Sequence, residues 1–144
     1  MKKVVLVADD EPYVRRLVGV MLGKDYTVLE AENGKKAVSM ARDQKPDIIL
    51  MDIMMPKMDG LTACYTLKTE ECTRTIPVVM LTALSYELNK KMSEDIMGAA
   101  GYITKPFRLK DLTAAIERVL SPRTDVAAME QLHAPSVSEN GEES

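Results

Sequence analysis

Pro46-Asp47-Ile48-Ile49-Leu50-Met51-Asp52-Ile53-Met54-Met55-Pro56-Lys57-Met58-Asp59-Gly60 is the stretch that decides the fold. Asp47 opens a strand, Ile48 to Met51 continue it as an unbroken apolar run, and Asp52 ends it. A strand that is apolar at successive positions is one covered on both faces, as in a parallel sheet. The chain must then turn, because Pro56 fixes φ and has no N–H for a ladder, while Asp59-Gly60 supplies a turn leading into a helix. Asp52 therefore stands at the carboxyl end of a buried strand, at the edge where open α/β sheets bind ligands.

Towards the amino terminus, Lys3 to Ala8 is a valine-rich first strand ended by Asp9-Asp10-Glu11-Pro12, where an acidic cap and a proline at the first helical position start a helix. Val14, Leu17, Val18, Met21 and Leu22 recur at helical spacing up to Gly23. Thr27 to Glu30 is a short second strand. Asn33-Gly34 turns into a helix with Ala37, Val38 and Ala41 on its inner face, and Lys45-Pro46 returns the chain to the sheet. Beyond the central stretch, Leu61, Cys64 and Leu67 mark a third helix closing near Thr73 to Thr75, and Pro77 to Thr82 is a fourth strand. Leu88, Met92 and Ile96 mark a weaker fourth helix ended by Gly98-Ala99-Ala100-Gly101. Tyr102-Ile103-Thr104 is the last strand, running into Lys105-Pro106, and Leu109, Leu112, Ile116 and Val119 stripe the last helix. Strand and helix alternate five times, and right-handed crossovers lay each helix back over the sheet, which predicts an α/β fold with both faces of a parallel sheet covered.

The 144 residues suffice for one domain with a substantial core, expected over residues 1–122. Residues 123–144 are expected to form an acidic tail. Val126 to Leu132 has the makings of a short helix capped by Asp125, and Ala134 to Ser144 is expected to be disordered from its composition. The net charge of −3 belongs to the end of the chain: residues 121–144 carry −4, which leaves +1 on the body and no basic excess to drive nucleic-acid binding. No apolar run approaches membrane-spanning length, and the amino-terminal apolar segment meets Asp9 too soon for a signal peptide, so the expected location is the cytoplasm. Cys64 and Cys72 lack metal-ligand spacing and are expected as free thiols. His133, the only histidine, lies in the tail, which removes histidine metal sites and Ser-His-Asp chemistry from the body.

Four features fall at strand carboxyl ends: Asp9 with Asp10, Asp52, Thr82 and Lys105. Singly, each has an ordinary reading as a solvated cap, a β-forming residue or a surface charge. One sheet points all of them at a shared crevice. Three converging carboxylates need compensating charge, and a hard divalent ion with oxygen ligands, Mg²⁺, together with Lys105 balances them. Asp9 and Asp10 are adjacent and suited to orient the ion, whereas Asp52 stands alone in the middle strand, free to act as the nucleophile that forms an aspartyl phosphate. The spread charge of a transferring phosphoryl group needs the metal and the lysine, and Thr82 can donate its hydroxyl to a new phosphate oxygen.

In these residues the chain resembles the receiver domains of bacterial two-component response regulators, over residues 3 to about 120. The resemblance lies in Asp9-Asp10 after the first strand, Asp52 followed by Met55-Pro56 and Asp59-Gly60, Thr82-Ala83, and Lys105-Pro106-Phe107. It implies a flavodoxin-like doubly wound (βα)5 fold with a five-stranded parallel sheet in the order 2-1-3-4-5. It also implies Mg²⁺ held by Asp10, Asp52 and the backbone carbonyl of Met54, with Asp9 helping through water. Asp52 would accept a phosphoryl group from a histidine kinase or histidine phosphotransfer protein, with Lys105 on that group. Thr82 and Tyr102 would form a switch pair, and the Lys105-Pro106 bond would be cis. A downstream protein partner would dock on the face made by the fourth helix, fifth strand and last helix, and homodimerisation on phosphorylation is among the outcomes the resemblance allows. With no output segment after residue 144, the chain is expected to act by binding a partner or to be one end of a longer protein.

Met54, Met55 and Met58 crowd the loop after Asp52 and read as adaptable packing plus one backbone ligand. Met54 and Leu84 stand two residues beyond Asp52 and Thr82, and neither side chain can orient an attacking water, which predicts slow loss of a phosphoryl group. Three rival readings remain at this point. A haloacid-dehalogenase-type phosphatase needs a second Asp where this chain has Met54. A flavodoxin-like FMN carrier would place its phosphate against Asp9-Asp10-Glu11-Pro12, which repels it. The third is a receiver-shaped binding module that is never phosphorylated.

Overall fold

A single parallel sheet organises the chain because its inner strands are apolar over successive positions and need cover on both sides. The structure, a computed structural model, describes residues 2–83 and 98–121. The expected fourth helix over Leu88, Met92 and Ile96, Leu84, and the tail over residues 123–144 lie outside the described residues. The elements run β1 (Lys3–Ala8), α1 (Pro12–Leu22), β2 (Tyr26–Ala31), α2 (Gly34–Gln44), β3 (Ile48–Asp52), α3 (Gly60–Thr69), β4 (Val78–Thr82), β5 (Gly101–Thr104) and α4 (Leu109–Leu120), the last described helix. The five strands are all parallel, in the order β2-β1-β3-β4-β5. The doubly wound order implied by the resemblance is therefore the one found.

Successive residues of each buried strand serve opposite cores. Ile49 and Met51 of β3 join Leu6, Val78 and Met80 under α2 and α3, packing with Ala37, Ala41, Cys64 and Leu67. Ile48 and Leu50 join Val5, Val7, Val79 and Leu81 on the other face, with Val14 and Val18 of α1 and Leu112 and Ile116 of α4. This two-sided burial is why the strands show no polar alternation.

Local chemistry sets the boundaries, and several differ from expectation. Asp47 does not open β3. Its carboxylate accepts the Val4 N–H at 2.7 Å, and the ladder starts at Ile48. Pro12 takes the first position of α1 as expected, but the Glu11 side chain makes no cap; the Asp9 carboxylate instead accepts the Glu11 N–H at 2.9 Å. Helix α3 ends at Thr69, short of Thr73, because residues beyond it turn back: the buried Thr73 hydroxyl donates to the Leu67 carbonyl at 2.7 Å, meeting one of the orphan acceptors of a helix end. The Asn33 and Asp59 side chains cap α2 and α3 by accepting from Lys36 and Thr62 N–H, both at 2.8 Å. The Lys105-Pro106 peptide is cis, in agreement with the resemblance.

Candidate functional site

The strand register brings the predicted residues to one edge. Asp52, the last residue of β3, pairs with Leu81, and Thr82, the last of β4, pairs with Thr104. Pairing continues one step past the strand ends: Asp9 N–H donates to Ala31 carbonyl at 3.1 Å, Ile53 N–H to Leu81 at 3.2 Å, and Lys105 N–H to Thr82 at 2.8 Å. Asp9, Asp52, Thr82 and Lys105 are therefore anchored by backbone bonds within the carboxyl edge.

The carboxylates converge. One oxygen each of Asp9, Asp10 and Asp52 lies within 4.8 Å of the others. Asp9 and Asp52 are buried, at 0% and 5% exposure, whereas Asp10 is open to solvent. The Lys105 ammonium donates to Asp9 Oδ2 at 2.7 Å and lies 3.4 Å from Asp52 Oδ1. Burial, and next the neighbouring charge of Asp9, push the Asp52 carboxyl up to about 6 despite Lys105. Burial opposes the Lys105 cation, but its hydrogen bond to Asp9 and the charge of Asp52 prevail and hold its pKa above the ordinary value.

Thr82 is buried at the end of β4. Tyr102 is half-buried on β5, opposite Met80 in the ladder, and packs against the core that includes Met80. Because side chains alternate along a strand, Thr82 and Tyr102 share one sheet face, two residues out of register. Met54 differs from its expected packing role: it is 67% exposed, and it is Met55 and Met58 that pack against the α2–α3 core.

The sequence reading missed Arg15. From the second turn of α1 its Nη1 donates to the Asp9 carbonyl at 2.7 Å while its Nε donates to Glu30 Oε1 at 3.0 Å, tying the ends of β1 and β2 to the helix. The available signal was slight, since Arg15-Arg16 reads as two surface cations and only packing half-buries the first of them.

The model of the response regulator receiver domain family matches residues 5–117. This chain belongs to that family. As a receiver domain it is 42% identical over 119 residues to the phosphate regulon transcriptional regulatory protein PhoB of Pseudomonas aeruginosa, covering 82% of this chain and 52% of that protein. The chain spans about half the length of the curated relatives it matches. Among solved structures, the receiver domain is similar to the chemotaxis protein CheY4 of Vibrio cholerae, with a TM-score of 0.78 and 29% identity over 83% of this chain and 100% of that one. It is also similar to the receiver domain of the sensor histidine kinase PA1611 of P. aeruginosa PAO1, described with a magnesium ion coordinated in its active site cleft. There the TM-score is 0.77 and the identity 28%, over 84% of this chain and 99% of that one.

The donor set of this receiver domain fits such an ion. Three carboxylates against one lysine leave two uncompensated negative charges, and carboxylate oxygens are the hard donors that Mg²⁺ takes. Among the described residues no helix is long and apolar enough to cross a membrane.

Proposed function

We propose that this receiver domain is a phosphorylation-dependent signalling switch that accepts a phosphoryl group on Asp52 from a phosphohistidine donor in a Mg²⁺-dependent reaction. The observation that carries the reading is the convergence of Asp9, Asp10 and Asp52 within 4.8 Å, with Lys105 between Asp9 and Asp52. Asp10, Asp52 and the Met54 carbonyl would hold the ion, with Asp9 supporting it. When bound, the ion neutralises charge on the transferring phosphoryl oxygens.

The chain's own residues do the rest. An Asp52 oxygen attacks phosphorus in line, the bond to the donor imidazole breaks, and the imidazole nitrogen keeps the electron pair. Burial of Asp52 keeps the carboxylate poorly solvated, so little water must leave it before attack. Lys105 is already within reach of Asp52 and follows the phosphoryl group. Thr82 donates its hydroxyl to a phosphate oxygen, and Tyr102, on the same sheet face, moves with it. The side chain at position 52 goes from one negative charge to about two, which is the change a partner-binding face reads.

The donor protein approaches over the carboxyl edge. An apolar cavity of about 410 Å³ beside Lys105, lined by Tyr13, Val14, Leu17, Ala83 and Phe107, supports its docking there. The downstream partner binds the face that β5 and α4 present. The protein turns over no substrate of its own beyond its own phosphorylation and dephosphorylation, and it acts in the cytoplasm.

Incubation with Mg²⁺ and acetyl phosphate, followed by intact mass, tests the reading. A single phosphoryl adduct that disappears with chelator and in Asp52→Asn is expected. An adduct that persists in Asp52→Asn, or none in the parent, overturns it, the latter in favour of an unphosphorylated binding module.

A further inference from the structure

The loop after Asp52 is fastened to a helix that contributes no charge to the site. Gly34, the first residue of α2, donates its backbone N–H to the Met58 carbonyl at 3.1 Å. A Cβ at position 34 would overlap that carbonyl oxygen, lie 3.0 Å from the carbonyl carbon, and crowd the Ala63 Cβ at 3.2 Å. Only hydrogen fits there. On the loop side Lys57 has φ +70°, and Met58 N–H donates to the Pro56 carbonyl at 2.7 Å, the signature of a γ-turn. The near end of the loop closes on itself, with Gly60 N–H donating to the Ile53 carbonyl at 2.8 Å. Behind Gly34, the buried Asn33 caps α2 and so fixes the direction of the amide that reaches Met58.

We propose that Gly34 is a positioning residue for the phosphoacceptor loop: its close contact with the Met58 carbonyl holds residues 53–60 in the shape that presents the Met54 carbonyl beside Asp52, so that magnesium affinity depends on the start of α2. The inference rests on the reading of Asp52, Asp10 and the Met54 carbonyl as the ion's ligands. Met54 lies between the Ile53–Gly60 closure and the Gly34–Met58 contact, and its neighbour Met55 packs on the same α2–α3 core, whose first helix Gly34 opens. The Met54 side chain is exposed and offers no packing to hold the backbone in place. The carbonyl at position 54 is therefore oriented by its neighbours in the chain, and the far one of these is held by Gly34. A methyl group at position 34 must displace Met58 or α2, and either shift is passed along four residues to position 54.

Magnesium titration calorimetry on Gly34→Ala, Asn33→Ala and Val38→Ala tests this, with amide exchange of Gly34 in the parent protein followed with and without Mg²⁺. Gly34→Ala is expected to bind Mg²⁺ roughly 10–100-fold more weakly, the usual cost of losing a partner that orients a metal ligand. Its phosphorylation by acetyl phosphate should recover at saturating Mg²⁺. Asn33→Ala should lose less. Val38→Ala removes core packing from the same helix without placing a Cβ against the Met58 carbonyl, and should stay within about threefold of the parent's affinity at temperatures where it is folded. In the parent, Mg²⁺ should slow exchange of the Gly34 amide. Equal Mg²⁺ affinities for Gly34→Ala and Val38→Ala overturn the proposal, as does a Gly34 amide indifferent to Mg²⁺. Should Gly34→Ala fail to fold, Asn33→Ala and the exchange measurement decide. A parent that binds Mg²⁺ but takes up no phosphoryl group defeats the function proposed above and leaves the role of Gly34 standing. A parent that is phosphorylated while the variants bind Mg²⁺ alike defeats the role of Gly34 alone.

Discussion

The Lys105 ammonium sits 2.7 Å from Asp9 Oδ2 and 3.4 Å from Asp52 Oδ1, leaning towards the carboxylate that is fully buried. Burial raises the Asp52 carboxyl most; it then receives only part of the lysine's compensation while it bears the repulsion of Asp9, and so reaches about 6 with a cation in contact distance. Asp9→Asn removes that repulsion and releases Lys105 towards Asp52. The pKa of Asp52 should fall by about one unit or more towards the ordinary carboxylate range. Carboxyl NMR titration in metal-free buffer reads it, and an unmoved pKa would mean that burial alone sets the value.

Stability should vary with pH in a defined direction. The folded-state pKa of Asp52 lies above its ordinary value of 3.8, so the folded protein holds that proton more tightly than the unfolded chain. The resulting stability is complete below about pH 4 and is lost as pH rises through about 6. Asp52→Asn carries no charge at any pH, and in metal-free buffer it should be more stable than the parent above about pH 7 by on the order of 2 kcal/mol. Denaturant midpoints across this range measure the gap, which should close towards about pH 4; a gap independent of pH would rule out Asp52 titration as its source.

Gly60 has no room for a side chain, because a Cβ there would overlap the Asp52 carbonyl oxygen and lie 2.9 Å from the Ile53 Cα. Gly60→Ala is expected to cost on the order of 2–4 kcal/mol, since the neighbour is backbone at the root of the site and cannot step aside. Urea unfolding in the absence of metal gives the number. A loss below about 0.5 kcal/mol, the scale of an ordinary surface substitution, would show that the loop adjusts freely.

Met54, two residues beyond Asp52, presents an exposed apolar side chain and offers nothing to orient a water. Replacing it with Glu or Asn should change the rate at which phosphoryl is lost by about tenfold. Decay of the phosphorylated protein after rapid removal of the donor measures the rate, and equal rates in the parent and both variants would show that position 54 does not control water.

The layered fold was legible in the sequence because two-sided burial leaves a mark on every residue of a strand. Val4 to Ala8, Ile48 to Met51 and Val78 to Leu81 are apolar throughout, and each is a strand of the sheet. The boundaries were less legible. Asp47 and Thr73 fall where they do because side-chain hydrogen bonds to distant or returning backbone, to Val4 N–H and the Leu67 carbonyl, compete with continuation of the local pattern. The candidate residues at the carboxyl edge were legible for a related reason: a charged or hydroxyl residue directly after an apolar run can stand only where the strand leaves the core.

The sequence by itself determined which chemical groups reach the edge, Asp9, Asp10, Asp52, Thr82 and Lys105, because strand periodicity and the order of elements are properties of one dimension. Tertiary structure alone decided how those groups share charge and what holds them. Lys105 meets Asp9 across 96 residues of chain, Arg15 braces the Asp9 carbonyl from α1, and Gly34 grips the loop after Asp52 from α2. Each depends on differences of a few tenths of an ångström between segments remote in sequence. Such distances arise from the close packing of two cores against one sheet, which no local pattern of residues records.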